Sequence, residues 1–387
     1  MVLRWNNFKE IFSRKKGLGI LGTSDITGTI ISSVFWFYIA SVIQPDKYGE
    51  IFYLISIVAI AFNLSNIGTQ NNMVVLTAKG KNLESTLSFI SLMFGAVSSF
   101  ILIIIFYQID IIILLFGYII NSLSLGYLIG KQFYPQYAKY LLLQKILTVA
   151  LGLSFFYLFG ADGIITALGI SYIGFIAVII KFHKNTHINF HEFKNNFTFI
   201  WQNFSLKFIG ALRENIDKLI IVPLLGFSFL GNYALSMQFI ALISMPTAIF
   251  YKYMLTNDAR RIQNKALKKY YLLGVTSLAI VSSILLPIII PYVFPNFTEI
   301  GILQIMSFVL IPNAIISIKF SEFLGDQKSK PVFYSALIGL ITVLIGVTVL
   351  GSIFGAYGVA STYILTSSCM AIFLLIWAKK ISTDKDQ

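Results

Sequence analysis

Four charged residues interrupt an otherwise apolar stretch: Arg213, Glu214, Asp217 and Lys218. Arg213 and Asp217 stand four residues apart, as do Glu214 and Lys218, and residues at that spacing are neighbours on a helix surface. The two pairs are offset by about 100° around a helix of 3.6 residues per turn, so together they cover a broad polar face. A charge at the centre of a membrane helix costs roughly 2.5–3.5 kcal/mol on insertion scales. Such a face must look into protein or a watery cavity. Two readings follow. In one, a self-neutralised double ion pair glues a helix bundle. In the other, the face is a cavity wall on which Arg213 and Lys218 exchange an internal carboxylate for an anionic ligand.

Asp25 is a second intramembrane acid, set among Thr23, Ser24, Thr27 and Thr29. It is a candidate carrier of a coupling proton or sodium ion, or a partner for a base on the Arg213 helix; both stay open. Lys145, Lys207 and Lys252 stand near expected cytosolic helix ends, where they snorkel to the interface or draw an anionic head group inward. Gln238, Asn121 and the run Asn63, Asn66, Gln70, Asn71 and Asn72 are amides in apolar surroundings. Their usual work is hydrogen bonding between helices, and amides also suit sugar hydroxyls.

Other chemistries lack their residues. His183, His187 and His191 share one helical face by spacing, but Glu192 is the only nearby carboxylate, so they read as solvated histidines and no metal is expected. The stretch Gly126–Lys131 has the wrong spacing for a phosphate loop and is followed by Gln132. No paired carboxylates lie in a loop ready for glycosyl chemistry. Cys369 is the one cysteine, in an apolar run, and reads as a small buried residue. The chain is therefore expected to be neither an enzyme nor a holder of a cofactor.

The elements that position these residues follow from composition. The chain has 387 residues, 57% hydrophobic and 12% charged, with a mean hydropathy of +0.81. Soluble domains carry about 25% charged residues, so a multi-pass membrane protein is the class that fits. A span needs roughly 20 apolar residues. That length predicts twelve transmembrane helices: 18–43, 51–74, 85–106, 109–130, 138–160, 163–181, 203–225, 232–254, 270–294, 299–319, 332–352 and 356–378. The basic residues test the count. With this division 26 of the 29 lysines and arginines fall at one side, Lys47 alone at the other, and Arg213 and Lys218 inside a span. Basic loops stay cytosolic, so both termini are expected in the cytosol. The same asymmetry explains the net charge of +13 without nucleic acid as a partner.

The chain also repeats itself. Gly49, after the first span, corresponds to Gly231, after the seventh. Phe159-Gly160-Ala161-Asp162-Gly163 corresponds to Phe354-Gly355-Ala356-Tyr357-Gly358. Together the pairs map spans one to six onto seven to twelve in the same orientation, which predicts an all-α membrane protein of two six-helix lobes, 1–190 and 191–387. Parallel repeats place a transport site between bundles near the bilayer midplane. Pro223, Pro246, Pro287, Pro291 and Pro312 all lie in spans of the second half, which is expected to bend more.

These motifs resemble those of the Wzx-type polysaccharide (oligosaccharidyl-lipid) flippases of the multidrug/oligosaccharidyl-lipid/polysaccharide exporter superfamily. Pro45-Asp46-Lys47-Tyr48-Gly49 looks like that family's Pro-x-x-Tyr-Gly turn. Asp217-Lys218, followed by Leu225-Gly226 and Gly231-Asn232-Tyr233, looks like its charged stretch in helix seven. The two Gly-x-x-Gly turns look like those before its helices six and twelve. The resemblance covers nearly the whole chain. It implies two lobes around a cavity, and translocation of a polyprenyl-(di)phosphate-linked oligosaccharide from the cytosolic to the outer leaflet of the inner membrane for O-antigen or similar cell-envelope polysaccharide. It implies Arg213 and Lys218 at the diphosphate, and glycosyltransferases and a polymerase of the same pathway as partners. A cation-coupled exporter of small drug-like molecules shares the two-lobe plan. Its ligands would be cationic, and Asp25, Glu214 and Asp217 would bind them.

Overall fold

The computed structural model describes residues 2–259, 265–326 and 328–383. Among them the chain is helical throughout: α1 Val2–Val42, α2 Pro45–Ser65, α3 Gln70–Ala78, α4 Glu84–Phe106, α5 Asp110–Gly130, α6 Tyr134–Phe159, α7 Gly163–Ile170, a 3-10 turn Ile173–Phe175, α8 Ile176–Asn185, α9 Phe190–Asn195, α10 Phe197–Ile243, α11 Met245–Ala259, α12 Lys265–Val293, α13 Ile300–Ser307, α14 Leu310–Gly325 and α15 Lys330–Thr383. Ten helical stretches are long and apolar enough to cross a membrane, which makes this a multi-pass membrane fold.

Two pairs of the expected helices, seven with eight and eleven with twelve, run on from one to the next as long continuous stretches. α10 has 47 residues and α15 has 54. A straight helix of 47 residues would be about 70 Å long, against a hydrocarbon core of about 30 Å. Neither helix is straight. Gly226 (φ 81°) breaks α10 and Gly355 (φ 56°) breaks α15, in conformations that only glycine adopts freely. Tyr233 bonds to Asp217 across the first break, and Gly346 packs on Thr362 across the second. Each pair would be about 24 Å apart on a straight helix. The chain therefore reverses at both glycines, and each long helix is two arms of a hairpin. α10 also starts at Phe197 rather than near 203.

The expected second span is broken instead, between α2 and α3. The break frees backbone groups that lipid cannot satisfy. Polar side chains satisfy them: the Gly68 N–H donates to Ser91 Oγ at 2.9 Å, and Asn72 Nδ2 donates to the carbonyls of Ile67 (3.0 Å) and Ile200 (3.1 Å). Asn66 Nδ2 donates to Ser122 Oγ at 2.8 Å. Thr69 caps α3 by accepting from the Asn72 N–H. Two amides of that run, Asn66 and Asn72, are thus buried and do the hydrogen bonding between helical segments that is their usual work.

The chain falls into two compact units, Met1–Phe35 with Ile57–Phe208, and Trp36–Ser56 with Ile209–Gln387. Within the first, α5 is the central helix. Ile111, Leu114, Leu115, Ile119 and Leu123 are fully buried, so its apolar residues face protein nearly all round. Within the second, Met254, Tyr271, Val275, Ala279, Leu310 and Ala314 form a core joining α11, α12 and α14. A further cluster joins Ile316 and Phe323 of α14 to Met370, Ala371 and Leu374 of α15.

The repeat seen in the sequence has a geometric counterpart in the second unit. A side chain at Gly49 would meet the Phe227 carbonyl, and one at Gly231 would meet the Pro45 carbonyl. The two glycines hold repeat-related turns backbone to backbone. Gly231→Val forces these backbones apart. Overpacking of this kind costs typically 1–3 kcal/mol, and thermal unfolding of the purified variant measures it. A Tm equal to wild type contradicts the close approach.

Candidate functional site

The hairpin in α10 builds a cavity in the second unit. Its first arm supplies Arg213, Glu214 and Asp217, and its second arm Tyr233. Asn313 of α14 and Thr362, Tyr363, Thr366, Ser367 and Met370 of α15 complete much of the wall around about 350 Å³. This lies within the range of small-molecule sites, roughly 300–1,000 Å³.

The charges do not pair as their spacing predicted. Asp217 is held instead by its neighbours. Tyr233 Oη donates to Oδ2 at 2.6 Å, and Lys218 gives Oδ1 its Nζ at 3.1 Å and its backbone N–H at 2.9 Å. Asp217 and Lys218 are both buried, and the Lys218 ammonium folds back further onto the Glu214 carbonyl. Tyr233 explains the rearrangement: crossing from the second arm, its hydroxyl engages Asp217 on the side away from Lys218. Arg213 is left with Glu214, at 3.5 Å, and with Met370 Sδ, at 3.2 Å. A charged hydrogen bond is usually 2.7–2.9 Å, so the Arg213–Glu214 contact is loose. The Glu214 side chain is 65% exposed against 29% for Arg213.

The result is an asymmetric site. Asp217–Lys218 is closed and neutral. Arg213 is a guanidinium with five N–H donors, of which two have partners among the described residues. Gly339 makes room for its stem, since a side chain there would collide with Met370 and Arg213. The arrangement can take an anion at Arg213, with Glu214 swinging away. A fork of donors matches the oxygens of phosphate.

The other expected residues do not line this cavity. Asp25 belongs to the first unit, where Tyr137 Oη donates to its Oδ1 at 2.7 Å. Lys207 is exposed, eleventh in α10, and also in the first unit. Lys145 is the twelfth of 26 residues in α6, mid-helix rather than at an end, and packs along Gly28. Gln238 lines neither this cavity nor the second one described below. The side chain of Lys252 lies outside the described residues. Among the described residues no cluster of His, Cys, Asp and Glu could hold a metal ion.

Two features were not anticipated. Tyr233 was visible only as part of a turn motif; its partner sixteen residues away needed the hairpin. The second is a buried charge network at the ends of three helices. Lys268 Nζ donates to both oxygens of Asp258 (2.9 Å each) and to Glu322 (3.0 Å); Lys319 also donates to Glu322, at 2.8 Å; and Ser321 Oγ donates to Asp258, at 2.7 Å. The residues come from α11, α12 and α14, far apart in sequence.

Tyr233→Phe removes the hydroxyl from a buried carboxylate. Hydrogen bonds to charged groups contribute about 1.5–3 kcal/mol, so a loss of that size is expected in thermal unfolding. A neutral substitution contradicts the bond.

No family model matches this chain, and no curated protein sequence matches it. Its fold is that of solved MATE family transporters and of the lipid II flippase MurJ. Among solved structures, an inward-facing multidrug resistance MATE family transporter of the MOP superfamily aligns with a TM-score of 0.71 over 94% of this chain and 96% of its own, at 14% identity. The lipid II flippase MurJ, in an inward closed conformation, aligns with a TM-score of 0.73 over 93% of this chain and 87% of its own, at 16% identity. An outward-facing MATE transporter aligns with a TM-score of 0.63 at 16% identity over 96% and 97%.

Proposed function

We propose that this chain is a flippase that moves a polyprenyl-(di)phosphate-linked oligosaccharide from the cytosolic to the outer leaflet of the cytoplasmic membrane by alternating access. The observation that carries the reading is the state of Arg213: a cation on a cavity wall, loosely held, beside an acid, Asp217, already closed by Tyr233 and Lys218. Arg213 binds the (di)phosphate, and the hydroxyls and amide around it meet the sugar. The likeness to a lipid II flippase supports the reading.

In this proposal the two hairpins count as four spans, giving twelve, with lobes 1–190 and 191–387. The skew of basic residues supports cytosolic termini. The glycan-assembling glycosyltransferases and polymerase are its pathway partners. No cofactor is required. Asp25, with its hydroxyl partner Tyr137, is the proposed carrier of a coupling proton or sodium ion.

A second reading has its own support. The fold is equally that of MATE multidrug transporters, and Glu214 is an exposed acid at the cavity. A cation-coupled exporter of drug-like cations would use Glu214. Expressing cells challenged with ethidium or tetraphenylphosphonium separate the two. The flippase reading expects no gain in resistance. A gain that Glu214→Gln removes overturns it.

A further inference from the structure

A second cavity in the same unit adjoins the first. It is the more open of the two, with a volume of about 410 Å³, and Arg213 and Asn313 line both. The rest of its polar wall is neutral: Ser244, Thr247, Tyr251 and Ser317, with the ring of Phe320 beside them. Among the described residues no carboxylate lines it, which sets it apart from the first cavity and makes it a poor seat for a cation.

Its donors and acceptors are available. The Asn313 amide and the Tyr251 hydroxyl have no side-chain partners among the described residues, and the Thr247 hydroxyl stands beside that of Tyr271. Ser244 and Ser317 donate to backbone carbonyls of their own helices, at 2.7 and 2.8 Å, which leaves their oxygen lone pairs as acceptors. Behind the wall, Tyr271 is buried at 4% exposure, and its hydroxyl has no partner at hydrogen-bond distance although Thr247 and Ser317 lie beside it. Hydroxyls, an amide and aromatic faces with no counter-charge are the complement of a neutral polyhydroxylated ring. One cation at the rim fixes where an attached anion must lie.

We propose that this second cavity is a saccharide subsite. It holds the first sugars of the head group while Arg213, at the junction, holds the phosphate. The assignment rests on the flippase reading and adds the position of the glycan. It also gives Asn313 a role at the junction, bridging the two parts of the ligand.

The test uses the full-length protein in detergent and two synthetic probes, farnesyl diphosphate and farnesyl diphosphate bearing one sugar, the sugar varied over N-acetylglucosamine, glucose and galactose. Affinities are measured by thermophoresis. In wild type at least one sugar-bearing probe is expected to bind about tenfold tighter than farnesyl diphosphate. Tyr251→Phe and Thr247→Val, which touch only the second cavity, are expected to reduce that advantage several-fold. Each leaves the affinity for farnesyl diphosphate in place, which also shows that the variant is folded. Arg213→Ala weakens both probes. If farnesyl diphosphate binds but no sugar adds affinity, or if the advantage survives both variants, the subsite is wrong and the flippase reading stands. If wild type binds neither probe but binds tetraphenylphosphonium, the flippase reading fails and takes the subsite with it.

Discussion

Lys268→Met is expected to cost about 3–5 kcal/mol of stability, the range measured when one partner of a buried ion pair is removed. Lys268 is 14% exposed and sits between Asp258, at 6%, and Glu322. Without it Asp258 keeps, among the described residues, the Ser321 hydroxyl, while Glu322 keeps Lys319. The loss comes from an acid stranded without its counter-charge rather than from attraction forgone. A second substitution isolates that cause. Asp258→Leu combined with Lys268→Met removes both charges, and replacing a buried pair with apolar residues is often close to neutral. The double variant is therefore expected to unfold at a higher temperature than Lys268→Met alone. A double variant less stable than either single one would show that the network contributes net attraction.

Arg213→Ala is expected to reduce transport at least thirtyfold. Truncating one partner of a desolvated charge contact costs 2–5 kcal/mol, and about 1.4 kcal/mol is a factor of ten. Stability should change little, because Glu214 is largely exposed and needs no counter-charge when Arg213 goes. Arg213→Lys keeps the charge but loses the planar fork, so it is expected to retain part of the activity, a few-fold below wild type. The pair of variants separates charge from geometry. Equal loss in both means that the forked donor set is essential; full activity in Lys means that a point charge suffices.

Much of the fold was legible in the sequence because membrane helices declare themselves by length and apolarity. The positions 226 and 355 were legible as turns, and both prove to be reversals of the chain. What the sequence concealed is how tightly those turns close: each joins two expected spans into one hairpin whose arms pack on each other. The break at 66–69 was hidden because amides such as Asn66 and Asn72 serve equally well as hydrogen-bonding glue between unbroken helices.

The site was legible in its membership but not in its pairing. Arg213, Glu214, Asp217 and Lys218 stood out as charges inside a span. Their spacing pointed to pairs four apart, and spacing describes one isolated helix. The actual pairs are set by Tyr233, which reaches Asp217 only once the hairpin has formed. The Asp258–Lys268–Glu322 network was invisible for the same reason. Only the packing of α11, α12 and α14 brings these residues together. Apart from Arg213, the second cavity carried no signal, since serines, threonines and tyrosines are common in such spans.

The central claim is most directly tested by head-group translocation of a fluorescent polyprenyl-diphosphate oligosaccharide in proteoliposomes. Wild type, Arg213→Ala and empty vesicles are compared, with tetraphenylphosphonium uptake measured alongside. The account predicts protein-dependent flipping that Arg213→Ala abolishes, and no tetraphenylphosphonium transport. Tetraphenylphosphonium transport without flipping of any lipid-linked glycan would contradict it.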